Sequence, residues 1–149
     1  AAEAGGGMSW QLCAVLSVSG IPKPQPRPKA TIRGRHAGVY TPRTAQGWKE
    51  IIIQRATEVS LAGGQIEGVI ALKIAFVLPR PKAHKKETYV TTKPDIDNLL
   101  KSTLDALTDC AVWRDDSQLA EVHMSKVYQS ELVGPGAVIE IYKGTKKEV

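Results

Sequence analysis

The chain has 149 residues, 42% of them apolar, and its twenty Lys and Arg against fifteen Asp and Glu give a formal net charge of +5. That length supports one domain with a genuine core and excludes two ordinary domains. No apolar run approaches the roughly 18 to 20 residues of a membrane-spanning helix, and no charged-then-apolar leader precedes Ser9, so a soluble, cytoplasmic protein is expected.

Ala1 to Gly7 is a glycine-rich lead that reads as a cloning scar, with the domain running over 8–149. Leu12 to Gly20, "LCAVLSVSG", is a β-branched apolar run and predicts a buried or central strand. Proline alternates with other residues from Pro22 to Pro28, which predicts a stiff, extended arm. Thr44 is placed to cap a helix through "AQGWKEIIIQRATEVSLA", with Trp48, Ile51, Ile52, Arg55 and Val59 at helical spacing and Gly63-Gly64 as its stop. "GVIALKIAFVLP" alternates large Ile70, Leu72, Ile74, Phe76 and Leu78 with smaller or charged residues, the pattern of a strand with one thick apolar face. Pro94 delays the next helix to about Asp95–Asp97, and its wheel buries Ile96, Leu100, Thr103 and Leu107 with Leu99 and Leu104 at the borders. Leu119–Gln129 and Ala137–Lys143, joined through Gly134-Pro135-Gly136, read as a hairpin. The expected fold is α/β (α+β), a small mixed β-sheet with two packed helices in the order β-α-β-α-β-β, as a single domain. Cys13 and Cys110 show no C-x-x-C spacing and are expected as buried free thiols.

The charge is segregated. Seven basic residues (Lys23, Arg27, Lys29, Arg33, Arg35, Arg43 and Lys49) and no acidic one lie between Pro22 and Lys49. Arg80, Lys82, Lys85, Lys86 and Lys93 follow between Pro79 and Lys93 against the single Glu87. Two basic loops suggest a polyanion site, although charge runs alone also serve solubility. Tyr40 and Tyr89, among these cations, either stack on unpaired bases or pack against the body. His36 and His84 read as phosphate contacts or surface residues, and His123 as a packed strand residue.

Between the loops stand the acids. Asp95 and Asp97 fall at a helix N-terminus, which favours carboxylates, and Asp97, Lys101 and Asp105 can form an ion-pair ladder at i, i+4, i+8. Asp115-Asp116 follow Val112-Trp113, and adjacent carboxylates call for a cap, a turn or a cation. Oxygen-only donors suit Mg²⁺ or Mn²⁺. Such a cation beside basic arms is the apparatus of phosphodiester hydrolysis, with Lys101 placed to orient water or to stabilise the charge that develops.

The stretch "KPDIDNLLKSTLDAL" followed by "VWRDDSQL", roughly Lys93 to Leu119, resembles the signature of the RusA family of Holliday junction resolvases. The resemblance implies Mg²⁺ or Mn²⁺ bound by Asp95, Asp97 and Asp116, with Lys101 required for cleavage and Asp115 either assisting or capping. It further implies a bacterial or phage-encoded homodimer that cuts two strands of a four-way junction symmetrically, in recombination and repair, as its two-fold symmetry allows. A broader nuclease of forks and flaps, or a non-catalytic DNA-binding protein, would carry many of the same features. The Pro22–Pro28 arm matches the commoner bacterial and phage branch of the family.

Overall fold

The computed structural model describes residues 7–59 and 63–146. All of the expected scar except Gly7, and residues 60–62 of the expected first helix, lie outside them. The elements are β1 (Met8–Ser19), β2 (Lys29–Arg33), β3 (His36–Tyr40), α1 (Gln46–Glu58), β4 (Ile70–Leu78), α2 (Ile96–Asp109), a 3-10 turn (Asp116–Gln118), β5 (Leu119–Tyr128) and β6 (Gly136–Lys146). This is the expected α+β fold, with the mixed sheet, the two helices and their order, and with one addition: a hairpin, β2–β3, between β1 and α1.

The main sheet has the order β1-β6-β4-β5. β4 pairs parallel with β5 and antiparallel with β6, and α2 lies in the long crossover that parallel neighbours require. β5 and β6 are therefore not the hairpin expected from the sequence: β6 crosses beyond β4 and is inserted between β4 and β1. Its Ile139 and Ile141 are fully buried, so an interior position is what its apolar alternation requires. Gly136 opens β6 against β1 so closely that a Cβ there would lie 2.0 Å from the Val18 carbonyl oxygen. The run expected as a buried or central strand is an edge strand. β1 buries Ala14, Leu16 and Val18 and leaves Val15 exposed, a half-buried pattern that the high β-branched content conceals.

Both helices contribute to one core. Ile70, Leu72, Ile74 and Phe76 of β4 meet Trp48, Ile52 and Ala56 of α1 and Leu99, Ala106 and Leu107 of α2. Thr44 does not cap α1: Ala45 occupies the N-cap with no side-chain hydrogen bond, and the Gln46 N–H instead donates to the Arg43 carbonyl at 3.1 Å. The buried face of α2 is rotated from the wheel, centring on Leu99, Ser102, Thr103, Ala106 and Leu107, with Ile96, Leu100 and Leu104 at its margins. Polar Thr103 is admitted because its hydroxyl donates to the Leu99 carbonyl at 2.9 Å, and Ser102 because its one hydroxyl proton meets a backbone carbonyl, that of Lys23 at 2.7 Å being nearer than that of Leu99 at 3.0 Å. Cys13 and Cys110 are free but only half-buried, and burial pushes the Cys110 thiol upward. His123 is exposed rather than packed and pairs with Glu121 at 2.7 Å, since it sits on the sheet face away from the helices.

Candidate active site

The first turn of α2 carries the acidic pair. Asp95 is the N-cap residue with extended backbone, yet its carboxylate accepts no capping hydrogen bond. Asp97 lies in the first turn and Lys101 in the second, both exposed. The expected ladder does not form, because Asp105 turns to Lys49 of α1 at 3.7 Å, and among the described residues neither Asp97 nor Lys101 is in an ion pair.

Asp115 and Asp116 are held by a separate device. Trp113 is fully buried and donates from Nε1 to Thr108 Oγ1 at 2.8 Å, pinning the chain to the end of α2. Gln118 then ties the turn down from the other side. Its Oε1 accepts from the Arg114 and Asp115 N–H groups at 2.9 and 3.1 Å, and its Nε2 donates to the Ile66 and Gly68 carbonyls at 3.1 and 3.0 Å. Asp115 Oδ1 accepts from the Ser117 N–H at 3.0 Å, so this carboxylate is the cap of the turn. That bond, then a hydrogen bond from Asp116, holds Asp115 below the ordinary carboxylate range. Asp116 is pushed above it by Asp115 first, then by desolvation and by the charges of Asp115 and Asp105, with Lys101 pulling the other way. Asp116 thus faces α2 closely enough to feel both Lys101 and Asp105.

Among the described residues, no group of three or more His, Cys, Asp or Glu side chains stands close enough to hold a metal ion. The turn that carries Asp116 packs against α2, whose head carries Asp95 and Asp97. A cavity of about 650 Å³ lies behind the Asp-Asp turn, between Gln65–Val69 and Arg114, Ser117, Gln118 and Ala120, and is lined by none of Asp95, Asp97, Lys101 and Asp116.

The basic segments are strapped to this helix. Ser102 Oγ donates to the Lys23 carbonyl at 2.7 Å, and the Gln25 N–H donates to the Asn98 carbonyl at 2.9 Å, so the proline arm lies along the first turns of α2. From the other side, Lys126 of β5 donates from Nζ to the Thr92 and Pro94 carbonyls, both at 2.8 Å, fixing the approach to Asp95. Sequence reasoning missed Lys126, whose only signal was a lysine inside an otherwise strand-like run. Lys23, Arg27, Lys29, Arg33, Arg35, Arg43, Lys82, Lys85, Lys86 and Lys93 are all exposed. Arg80 is different. Its guanidinium donates to the Gln129, His84 and Glu87 carbonyls at 3.2, 2.8 and 2.8 Å and lies over the Tyr128 ring, 5.0 Å from its centroid. It braces the loop from within. His84 stacks on the same ring at 5.8 Å, so of the two loop histidines only His36 is fully exposed. Tyr40 and Tyr89 are 50% and 64% exposed, so neither belongs to the core.

Comparison with known proteins gives this arrangement a family. The family described as "Endodeoxyribonuclease RusA" matches residues 19–142, a span holding every site residue named above. The chain belongs to the RusA endodeoxyribonuclease family. Relatives include the "Crossover junction endodeoxyribonuclease RusA" of Aquifex aeolicus (strain VF5), 29% identical over 79% of this chain and 83% of that protein. Another is the "Uncharacterized protein YqaN" of Bacillus subtilis (strain 168), 30% identical over 80% of this chain and 90% of its own length. Membership implies nuclease activity on DNA. None of the described helices is long and apolar enough to cross a membrane.

Proposed function

We propose that the protein is a Mg²⁺- or Mn²⁺-dependent, structure-selective endodeoxyribonuclease that acts as a homodimer and resolves four-way DNA junctions by paired, symmetric strand cleavage in recombination and repair. The observation that carries the reading is the head of α2: two exposed carboxylates, neither engaged in capping nor, among the described residues, paired with a cation, on a helix to which a basic arm is tied. In a chain whose surrounding loops are basic, uncompensated acids beside a phosphate-binding surface are unfavourable unless a cation joins them.

Asp95, Asp97 and Asp116 would hold that cation: their oxygen-only donor set fits a hard metal, and the ion would have to draw Asp116 toward the head of α2, since among the described residues no three such side chains stand within reach of one ion. When bound, the metal neutralises phosphate oxygens and lowers the pKa of a coordinated water. The chain's own residues do the rest. Lys101, exposed one turn after Asp97 on the same helix, would supply an ammonium for the negative charge that develops on the phosphorus oxygens during cleavage. Asp115 stays committed to the turn and keeps Asp116 aimed at α2. The exposed cations of the two loops supply salt-dependent phosphate contacts, and a two-fold dimer presents two such sites to a nearly two-fold substrate. The resemblance to the Aquifex crossover junction enzyme supports the choice of substrate.

The decisive experiment places the purified protein on a labelled four-way junction beside linear duplex, fork and flap controls, in Mg²⁺ and in EDTA, with Asp97→Asn in parallel. Paired symmetric nicks confined to the junction, and lost both in EDTA and in the variant while binding persists, are expected. Cutting of forks and flaps would broaden the substrate class, and cleavage retained by Asp97→Asn would refute its role.

A further inference from the structure

The β2–β3 hairpin is not explained by the packing of its own residues. Nine of its ten strand residues are exposed and the tenth, Thr31, is half-buried. An isolated two-stranded hairpin is marginal in water, so its apolar side chains are not there to stabilise it. Its loop is Gly34-Arg35, with Gly34 at φ +62, a conformation that two-residue hairpin loops demand of glycine.

Cross-strand partners share a face, and the register sorts the hairpin into two. Ala30 opposite Val39 and Ile32 opposite Ala37 make one wholly apolar face, and Ile32 and Val39 are 78% and 74% exposed. Lys29 opposite Tyr40, Thr31 opposite Gly38 and Arg33 opposite His36 make the other, which is basic and aromatic.

We propose that this hairpin is a wedge for branched DNA: its basic face follows the phosphates while Ile32 and Val39 enter between base pairs where the strands part. The inference rests on the nuclease reading above and adds how the site distinguishes a branch from a duplex. Charge selects the occupant, since no acid lies between Pro22 and Lys49 and the surface complements a polyanion. An intact duplex offers phosphates and groove edges, whereas parted strands offer flat apolar base faces, and DNA-bending proteins insert aliphatic side chains at such steps. The placement fits. The Gln25 N–H is bonded to α2 at Asn98, next to Asp97, and β2 begins four residues later at Lys29, at most about 14 Å of chain. A five-residue strand adds about 17 Å, so the tip lies within about 30 Å of the carboxylates' helix turn.

The test uses the full chain in EDTA with a four-way junction carrying 2-aminopurine at the crossing point, and with a linear duplex carrying it at the same sequence position. At saturation, established by anisotropy, the fluorescence is expected to rise on the junction and not on the duplex. Ile32→Ser/Val39→Ser should lose that rise at saturation, and Ile32→Leu should keep it. A saturated junction with no rise would overturn the wedge and leave the nuclease reading standing, as would a rise retained by the double serine variant. A double variant that sediments as a smaller species would show that a second copy covers this face, which also overturns the proposal. No junction binding in EDTA, together with no cleavage in Mg²⁺, would overturn both readings.

Discussion

Gln118 is the single side chain on which the position of Asp116 most depends, and its contribution can be worked out. It makes four hydrogen bonds to backbone groups of two segments, with lengths between 2.9 and 3.1 Å. Each is worth about 0.5 to 1.5 kcal/mol net, and with the three exposed ones discounted Gln118→Ala should lower stability by about 1 to 3 kcal/mol. For a domain of this length that corresponds to a fall in Tm of about 2 to 12 °C. Gln118→Glu separates the two halves of the side chain. It keeps the acceptor for Arg114 and Asp115 but sets a carboxylate oxygen against the Ile66 and Gly68 carbonyls, near Asp115. Its folded-state pKa is therefore raised, its penalty is present at neutral pH, and the deficit closes as pH falls through that pKa and the protonated acid donates again. Urea unfolding of both variants at several pH values, with strand cleavage assayed alongside, measures this. A loss below about 0.5 kcal/mol in Gln118→Ala, with undiminished cleavage, would refute the reasoning.

Lys101→Ala should reduce single-turnover cleavage far more than junction affinity, and an equal loss in both would make Lys101 a phosphate anchor instead. Asp116→Asn should abolish cleavage yet raise the Tm of the metal-free protein at neutral pH. Its pKa is raised first by the hydrogen bond to Asp115 that only the protonated form can donate, then by desolvation and by the charges of Asp115 and Asp105, so the gain should vanish as pH falls through that pKa; a lower Tm at neutral pH would contradict this. Arg33→Ala/Arg35→Ala should weaken junction binding and flatten its salt dependence by about one unit of slope per lost phosphate contact, and an unchanged slope would return these residues to a solvating role.

The sequence exposed the local parts of this molecule and concealed the long-range ones. The start of α2 was legible because Pro94 and two aspartates act within one turn, and β4 was legible because its alternation is uninterrupted. The interior place of β6 was not, since a turn such as Gly134-Pro135-Gly136 permits a hairpin and only the competition between neighbouring strands decides against it. The β2–β3 hairpin was hidden for a related reason. Its strands bury nothing, so no apolar period distinguishes them from a basic loop. At the site, the aspartates and Lys101 were read from their types and spacing, whereas Gln118, Ser102 and Lys126 act by bonding backbone carbonyls or N–H groups distant in sequence, which leaves no pattern in one chain.

Those backbone bonds also change how the charge of the protein should be counted. Arg80 satisfies three carbonyls, Lys126 two, and Lys49 is paired with Asp105, so three cations that composition would assign to a polyanion surface serve instead to position it. Loops built from Lys, Arg, Pro and Gly cannot be held by a core, because they have little to bury. Their geometry has to come from hydrogen bonds to their own backbone, and here those bonds converge on α2 and on β5, the strand parallel to β4 that follows it. The helix that carries Asp95, Asp97 and Lys101 thereby also fixes the arm at Lys23 and Gln25, and β5 fixes the loop at Pro94. Phosphates gathered by either loop are in this way referred to the same rigid element as the carboxylates, which is the condition a cutting site on a flexible, highly charged substrate must meet.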